Sequence, residues 1–389
     1  MNTDKKRIAI MVGAGFVPGM NAVVKGAALA AEKLGWEVVG IRDGFAGLMQ
    51  PDHFPDGGLI PLTPQLVDNL DASAGSVLGQ AQRIDPFNVR QIDEDQMIEE
   101  VDQSDELLAR LKAAKIDGLI SVVGGQGLSI LYKLHRKGLN TVCVPRAIEN
   151  DIATTAVSFG FNTALSFTIE MLEKARQAAQ ASQRIAVVEV LGEQAGWLAL
   201  QAGIAVCADA ILIPEIPGNL QAVAASLKAK MRPGRSYGLV VVAQGAKILH
   251  KSQTNAQADP SSENSLKAML SPLATGENSA HVIQRSGQAA ESVATGLQLL
   301  IDEETFPLVL GHWTRAGVPT AVDRQFGLIY GASAIQAHNA EHNGVMVAFD
   351  PPEIRFVPLA EAINKVRTVP VGSEFLQIAQ SLGICLGGE

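Results

Sequence analysis

The sequence predicts an α/β fold whose sheets are mainly parallel and flanked by helices. Three observations carry that prediction. Short runs of β-branched and aliphatic residues recur along the chain, segments with helical spacing separate most of them, and glycine-bearing loops follow several of the runs. The runs are apolar throughout rather than alternating, the pattern of strands covered on both faces.

Taken in order, Arg7–Gly13 (RIAIMVG) reads as a buried strand, followed by a Gly/Pro loop and an Ala-rich helix from Met20 to Leu34. Trp36–Ile41 is the next strand. Gly118–Val123, Thr141–Val144, Ile185–Val190, Ala210–Ile213 and Gly238–Ala243 are further strands, with helical patterns over Asp105–Lys115, Leu165–Gln180 and Gln194–Val206. Pro51–Ala74 is rich in Pro, Asp and Gly and reads as poorly ordered. Lys247–Asn278 is polar and reads as a long surface insertion. Binding sites in such folds lie at the carboxyl ends of the strands.

A length of 389 residues allows two or three domains, and 47% hydrophobic residues are ample for buried cores. A net charge of −9 supplies no basic stripe for a nucleic-acid backbone. It does not exclude phosphates, because a few cations and backbone amides can build a positive pocket on an acidic protein. Cys143, Cys207 and Cys385 match no zinc or redox spacing, and Cys143 and Cys207 lie in apolar segments, so both are expected to be buried. The polar start and the lack of a long apolar run lead to the expectation of a cytoplasmic protein with no membrane partner.

Three loops after strands could hold phosphate. They are Gly13-Ala14-Gly15-Phe16-Val17-Pro18-Gly19-Met20-Asn21, Gly124-Gly125-Gln126-Gly127 and Pro145-Arg146-Ala147-Ile148-Glu149-Asn150-Asp151. Glycine lets backbone amides approach a phosphate, and a following helix adds partial positive charge. Each loop alone is weak evidence and fits a plain strand-to-helix turn better, and no full Walker A or G-x-G-x-x-G is present. The ordered recurrence of strand, phosphate-type loop and acidic loop points to a nucleotide or sugar-phosphate enzyme.

The wording and order of these loops resemble the phosphofructokinase family. The resemblance rests on PGMN at Pro18–Asn21, DG at Asp43–Gly44, GGxG at Gly124–Gly127 and IxND at Ile148–Asp151. It continues through QRIAVVEVLG at Gln183–Gly192, GHWTRAG at Gly311–Gly317 and VDR at Val322–Arg324. It implies two similar α/β domains with a cleft between them, assigned as residues 1–160 plus 314–364 on the donor side and 161–313 plus 365–389 on the sugar side. It also implies a homodimer or homotetramer, Mg²⁺, and transfer of a phosphoryl group from ATP or pyrophosphate to fructose 6-phosphate or a related sugar phosphate. Carried over by motif, Glu149 and Asp151 take the catalytic positions. Gly15, Gly124, Gly125, Gly127 and Arg146 take the donor-phosphate positions, and Arg184, Gly192, His312 and Arg315 the sugar-phosphate positions. One of the sugar-phosphate cations, at Arg184, is expected to reach from a neighbouring subunit. Asp151 and Gln126 fall where the metal is held.

The chain also departs from the family pattern. Glu149 stands for an Asp, moving the carboxylate by about an ångström. Gln126 replaces the metal-associated Asp with an amide, a poorer ligand for a hard cation. Glu193 stands for an Arg, Phe16 for an Asp, Gln82 for an Arg with Arg83 beside it, Gln244 for a carboxylate and Phe306 for a cation. Ala195-Gly196-Trp197 and Arg146 resemble the pyrophosphate-dependent branch, whereas Gly127 resembles ATP users. Two function classes follow. One is a phosphotransferase; the other is a catalytically impaired member that binds sugar phosphate as a regulatory or partner subunit.

Overall fold

A computed structural model of the chain describes residues 5–70, 75–79, 84–92, 97–249 and 287–388. The larger sheet has seven strands and begins with β1 (Arg7–Val12), β2 (Glu37–Ile41) and β3 (Leu59–Pro61). After the small hairpin of β4 (Val89–Ile92) and β5 (Ile98–Val101) it resumes with β6 (Gly118–Val123) and β7 (Thr141–Pro145). The second sheet has four strands, β8 (Ile185–Val190), β9 (Ala210–Leu212), β10 (Gly238–Ala243) and β11 (Thr305–Val309). The chain then returns to the first sheet with β12 (Val345–Asp350) and β13 (Glu353–Pro358). The orders are β13-β12-β7-β6-β1-β2-β3 and β11-β8-β10-β9.

The central strands pair in parallel, and β6, β8 and β10 are buried at every residue. That is why their sequences are unbroken apolar runs. One continuous hydrophobic cluster joins Ile8, Ile10 and Val122 of the first sheet to Val188, Val190 and Val241 of the second.

The helix Ala321–Asn339 follows β11 in sequence yet lies against the first sheet, crossing the helix Met20–Lys33 at close range. A Cβ at Gly26 would stand 2.2 Å from the Leu328 carbonyl, and one at Gly331 would stand 2.1 Å from that of Val23. Only glycine permits that approach. The crossing fixes the base of the segment that carries His312 and Arg315.

Two expectations need correction. The described part of Pro51–Ala74 is ordered. It holds β3, which covers one sheet edge antiparallel to β2, and a short helix Pro64–Asp68. Pro64 at the first helical position and Thr63, whose hydroxyl accepts from the Leu66 amide at 3.3 Å, start that helix. The larger sheet is mainly parallel, as expected, with β13 pairing antiparallel to β12 at the other edge. Cys143 is buried as expected, but Cys207 is exposed, because it occupies the turn after the helix Trp197–Ala205 with a φ of 49°. Of the Lys247–Asn278 insertion, only its first residues are described; Gln82 and Arg83 lie outside the described residues. Among those residues, no helix is long and apolar enough to cross a membrane.

Candidate functional site

A cavity of about 750 Å³ opens at the carboxyl ends of β1, β6 and β7. It collects the three loops, with Gly15, Gly124, Gly125, Gln126, Gly127, Arg146, Glu149, Asp151, His312 and Arg315 all in its wall.

The helix Gly125–Arg136 starts within the second loop. Its first amides, those of Gly125, Gln126 and Gly127, have no helical acceptor by position, and they sit at the positive end of the helix dipole. This is a ready seat for phosphate oxygens. The first loop is tied down from beneath by Arg146, which is only 6% exposed. Its guanidinium donates to the Gly15 carbonyl at 2.5 Å and to the Ala14 carbonyl, and its Nε donates to Val122 at 3.3 Å. Burial, with Arg315 nearby, lowers its pKa to about 10, which leaves it cationic at neutral pH. Arg146 thus places a buried positive charge under both glycine loops while three of its N–H groups are already used by the backbone.

The acidic loop turns at Asn150, which adopts a left-handed φ of 54°. Its side chain holds the turn, accepting from the Ser158 amide at 2.9 Å and donating to Ala156 at 3.2 Å. Asparagine tolerates this conformation better than most residues. Glu149 and Asp151 on either side both reach the cavity. Burial, then the nearby Asp151 charge, pushes the Glu149 pKa up to about 7. Arg315, 3.6 Å from its Oε1, pulls the other way. Burial also raises the Asp151 pKa. Two carboxylates and a guanidinium in one partly dry pocket are the arrangement in which a side chain can act as a base near neutral pH.

His312 and Arg315 come from a 3-10 segment, Gly311–Arg315, that follows β11 and is pinned by the buried Thr314 hydroxyl donating to Gly311 at 2.7 Å. Gly192 and Arg184 stand outside the cavity wall. Gly192 has a φ of 143°, and a Cβ there would stand 2.7 Å from the Ala195 carbonyl, so it shapes the turn beside the site. Arg184 precedes β8, at the opposite end of that six-residue strand from the cavity, and pairs with Glu304 at 2.7 Å on the surface. The strand alone separates it from the Gly192 turn by about 20 Å.

No three or more His, Cys, Asp or Glu side chains among the described residues form a metal cage. Mg²⁺ does not require one, since it commonly takes one or two carboxylates and completes its shell with water and substrate phosphates. Asp151 in the cavity wall fits that role, and Gln126 in the same wall offers a neutral carbonyl oxygen.

Two of the replaced positions, Phe16 and Phe306, have plain structural jobs: both are partly buried and pack on the main core cluster. Glu189, within the VVEVLG run, accepts from the amides of Gly287, Ala289 and Ala290 at 2.7–3.0 Å and caps the helix Gln288–Gln298. Sequence reasoning missed the far wall of the cavity, made by Ile84, Asp85, Ser129, Ile130 and Lys133. A signal was present, because Gln126, Ser129, Ile130 and Lys133 are spaced along one helix face.

Comparisons with known proteins bear on the family and the fold. The phosphofructokinase family model matches residues 7–338. An ATP-dependent 6-phosphofructokinase of Chloroflexus aurantiacus is 34% identical over 392 residues, covering all of both chains. The ATP-dependent 6-phosphofructokinase 2 of Clostridium perfringens is 33% identical, over 97% of this chain and 98% of its own. Among solved structures, the pyrophosphate-dependent phosphofructokinase of Marinobacter aquaeolei superposes with a TM-score of 0.72 at 18% identity, over 99% of this chain and 92% of its own, a likeness of fold. On the family match and the full-length relatives together, the chain belongs to the phosphofructokinase family.

Proposed function

We propose that this chain transfers a phosphoryl group, with ATP as the favoured donor, to fructose 6-phosphate or a closely related sugar phosphate. The observation that carries the reading is the convergence of Glu149, Asp151, Arg315 and the two glycine loops on one cavity. Glu149 accepts the proton of the attacking sugar hydroxyl. Arg315 and His312 hold the sugar phosphate, and the Gly15 and Gly124–Gly127 loops, with Arg146 beneath them, seat the donor phosphates. Mg²⁺, held by Asp151 with a contribution from Gln126, would offset charge on the phosphoryl oxygens. Phosphoryl transfer depends mainly on positioning and electrostatics, which is what these residues supply.

Two features favour ATP over pyrophosphate. The cavity is lined by Ile84, Ser129, Ile130 and Lys133 as well as by the phosphate loops, which suits a donor larger than pyrophosphate. The Arg146 guanidinium, the basic mark of the pyrophosphate branch, is turned toward loop carbonyls. The relatives carrying the ATP-dependent name are full-length matches.

The domain assignment, 1–160 plus 314–364 and 161–313 plus 365–389, belongs to the same reading, as does a homodimer or homotetramer in which Arg184 serves the sugar site of a neighbour. A phosphoryl-transfer assay offering ATP and pyrophosphate in turn, with fructose 6-phosphate and Mg²⁺, tests the function. The expected result is transfer from ATP, slower than the roughly 1–100 s⁻¹ usual for kinases, because Gln126 and Glu193 weaken electrostatic support. Binding of fructose 6-phosphate without transfer from either donor would replace this reading with a sugar-phosphate-binding subunit.

A further inference from the structure

The acidic loop is gripped from behind by a segment near the end of the chain. Val366 bridges Ile152 antiparallel. The Arg367 amide donates to the Asp151 carbonyl at 2.8 Å, and its Nη1 donates to the Asn150 carbonyl at 3.2 Å. The same guanidinium lies 4.1 Å from the centre of the Trp197 ring, whose Nε1 donates back to the Arg367 carbonyl at 2.8 Å. Two residues on, the Val369 amide donates to Glu215 Oε1 at 2.7 Å, and that carboxylate also accepts from the Gly196 amide at 3.0 Å. On the cavity side, Glu193 lies close enough to Glu149 to influence its charge. The Gly196–Trp197 turn of the second sheet therefore meets the segment that grips the acidic loop, through the Trp197 ring on Arg367 and through Glu215, which accepts from both Gly196 and Val369.

Arg367 is not in the cavity wall. It acts on Asn150, the left-handed turn residue between the two carboxylates, whose side chain already bonds Ala156 and Ser158. The carbonyls that Arg367 grips belong to Asn150 itself and to Asp151, so a slip there would move both carboxylates. Arginine suits the place because one planar group can stack on an indole and donate in its own plane, which a lysine ammonium cannot do.

We propose that Arg367 is a positioning residue for phosphoryl transfer, fixing the Asn150–Asp151 backbone and locking it, through Trp197, to the turn beside the sugar site. The inference rests on the phosphotransferase reading for its kinetic consequence and on the geometry alone for the loop it holds. Two measurements on Arg367→Met and Arg367→Lys separate these parts. In steady-state kinetics, Arg367→Met is expected to lower kcat by about 10–100-fold, with the KM for fructose 6-phosphate within about twofold of the parent and Arg367→Lys between the two, since sub-ångström misplacement acts on the chemical step. In amide hydrogen exchange, the peptide spanning 149–158 is expected to exchange at least about tenfold faster in Arg367→Met while β10 keeps its protection, the mark of local rather than global loosening.

Unchanged exchange over 149–158 in both variants overturns the proposal. So does a normal kcat with a raised KM, which would make Arg367 a binding residue. Loss of β10 protection in Arg367→Lys as well as Arg367→Met would reduce it to a stability residue and overturns it too. If the parent protein transfers no phosphoryl group at all, the phosphotransferase reading fails by itself, and the exchange measurement still decides whether Arg367 holds the loop.

Discussion

The two sides of the site are assembled differently. On the donor side, the glycine loops, Arg146, Glu149 and Asp151 all leave the carboxyl ends of three neighbouring strands of one sheet and meet within a single chain. On the sugar side, His312 and Arg315 reach the cavity from a short 3-10 segment, while Arg184 stands at the far end of β8, paired with Glu304 in water. On the proposed reading, a parallel sheet preassembles the phosphate-transfer half, whereas the sugar-gripping half draws on Arg184 from outside the cavity. An exposed pair such as Arg184–Glu304 contributes little to stability and leaves a guanidinium that a ligand or a neighbour can take over at small cost.

The largest expected effect tests the preassembled half. Glu149→Gln keeps the shape and removes the base. It should lower kcat by about 10²–10⁴-fold, the usual contribution of a positioned acid–base group, while fructose 6-phosphate affinity by calorimetry stays close to that of the parent. In the parent, kcat/KM should rise about tenfold per pH unit on the acid side and level off above about pH 7, because Glu149 must be ionised to accept a proton and its pKa is raised to about 7. A flat profile between pH 5 and 8 would give the base role to another group.

The next effect compares the two sides directly. Arg315→Ala should weaken fructose 6-phosphate binding by about 1.5–3 kcal/mol, or about 10–150-fold in Kd. Arg184→Ala should weaken it by a similar factor only in preparations where light scattering finds a dimer or larger. A purely monomeric protein with an Arg184-dependent Kd would break the comparison, since six residues of strand separate Arg184 from the cavity end of β8. A smaller effect sharpens the donor half. Gln126→Asp returns a carboxylate to the cavity and should lower the Mg²⁺ concentration for half-maximal rate by about tenfold, because hard cations favour charged oxygen ligands. No shift would remove Gln126 from the metal's surroundings.

Much of this was legible in the chain. Strands buried on both faces announce themselves as unbroken apolar runs, so β1, β6, β8 and β10 could be placed within a residue or two. The edge strands could not. β13 alternates exposed and half-buried positions and pairs antiparallel, and β3 is three residues of Leu59-Ile60-Pro61 that become a strand only because β2 offers a free edge. The same divide runs through the site. Loops whose functional residues are contiguous, such as Glu149-Asn150-Asp151, show in the sequence. Arg367 does not, because its Asn150 partner is a backbone carbonyl 217 residues away and carries no side-chain signature. Arg146 was legible as a cation near phosphate, but its commitment to the carbonyls of Ala14 and Gly15 was not.

The smallest effect concerns stability, and it also separates the halves. A buried carboxylate whose pKa is raised binds more protons when folded than when unfolded, so its contribution to stability falls as pH rises from about 4.5 through 7. Glu149 therefore costs the folded state something at pH 8 that it does not cost at pH 4.5. With a fifth of the side-chain surface still in water and Arg315 nearby, that cost is about 1 kcal/mol rather than the full value of the shift. Glu149→Gln should accordingly stabilise the protein by about 1 kcal/mol in denaturant titrations at pH 8 and leave it unchanged at pH 4.5. The opposite sign belongs to His338. Burial lowers its pKa to about 4, so its contribution to stability is lost as pH falls from 6.5 toward 4. A protein that gains stability from Glu149→Gln at alkaline pH while losing catalysis there has placed strain at the transfer site for the sake of a base. Equal stability at both pH values would mean that the carboxylate is already solvated, and the donor half would then be less preassembled than the sheet topology makes it.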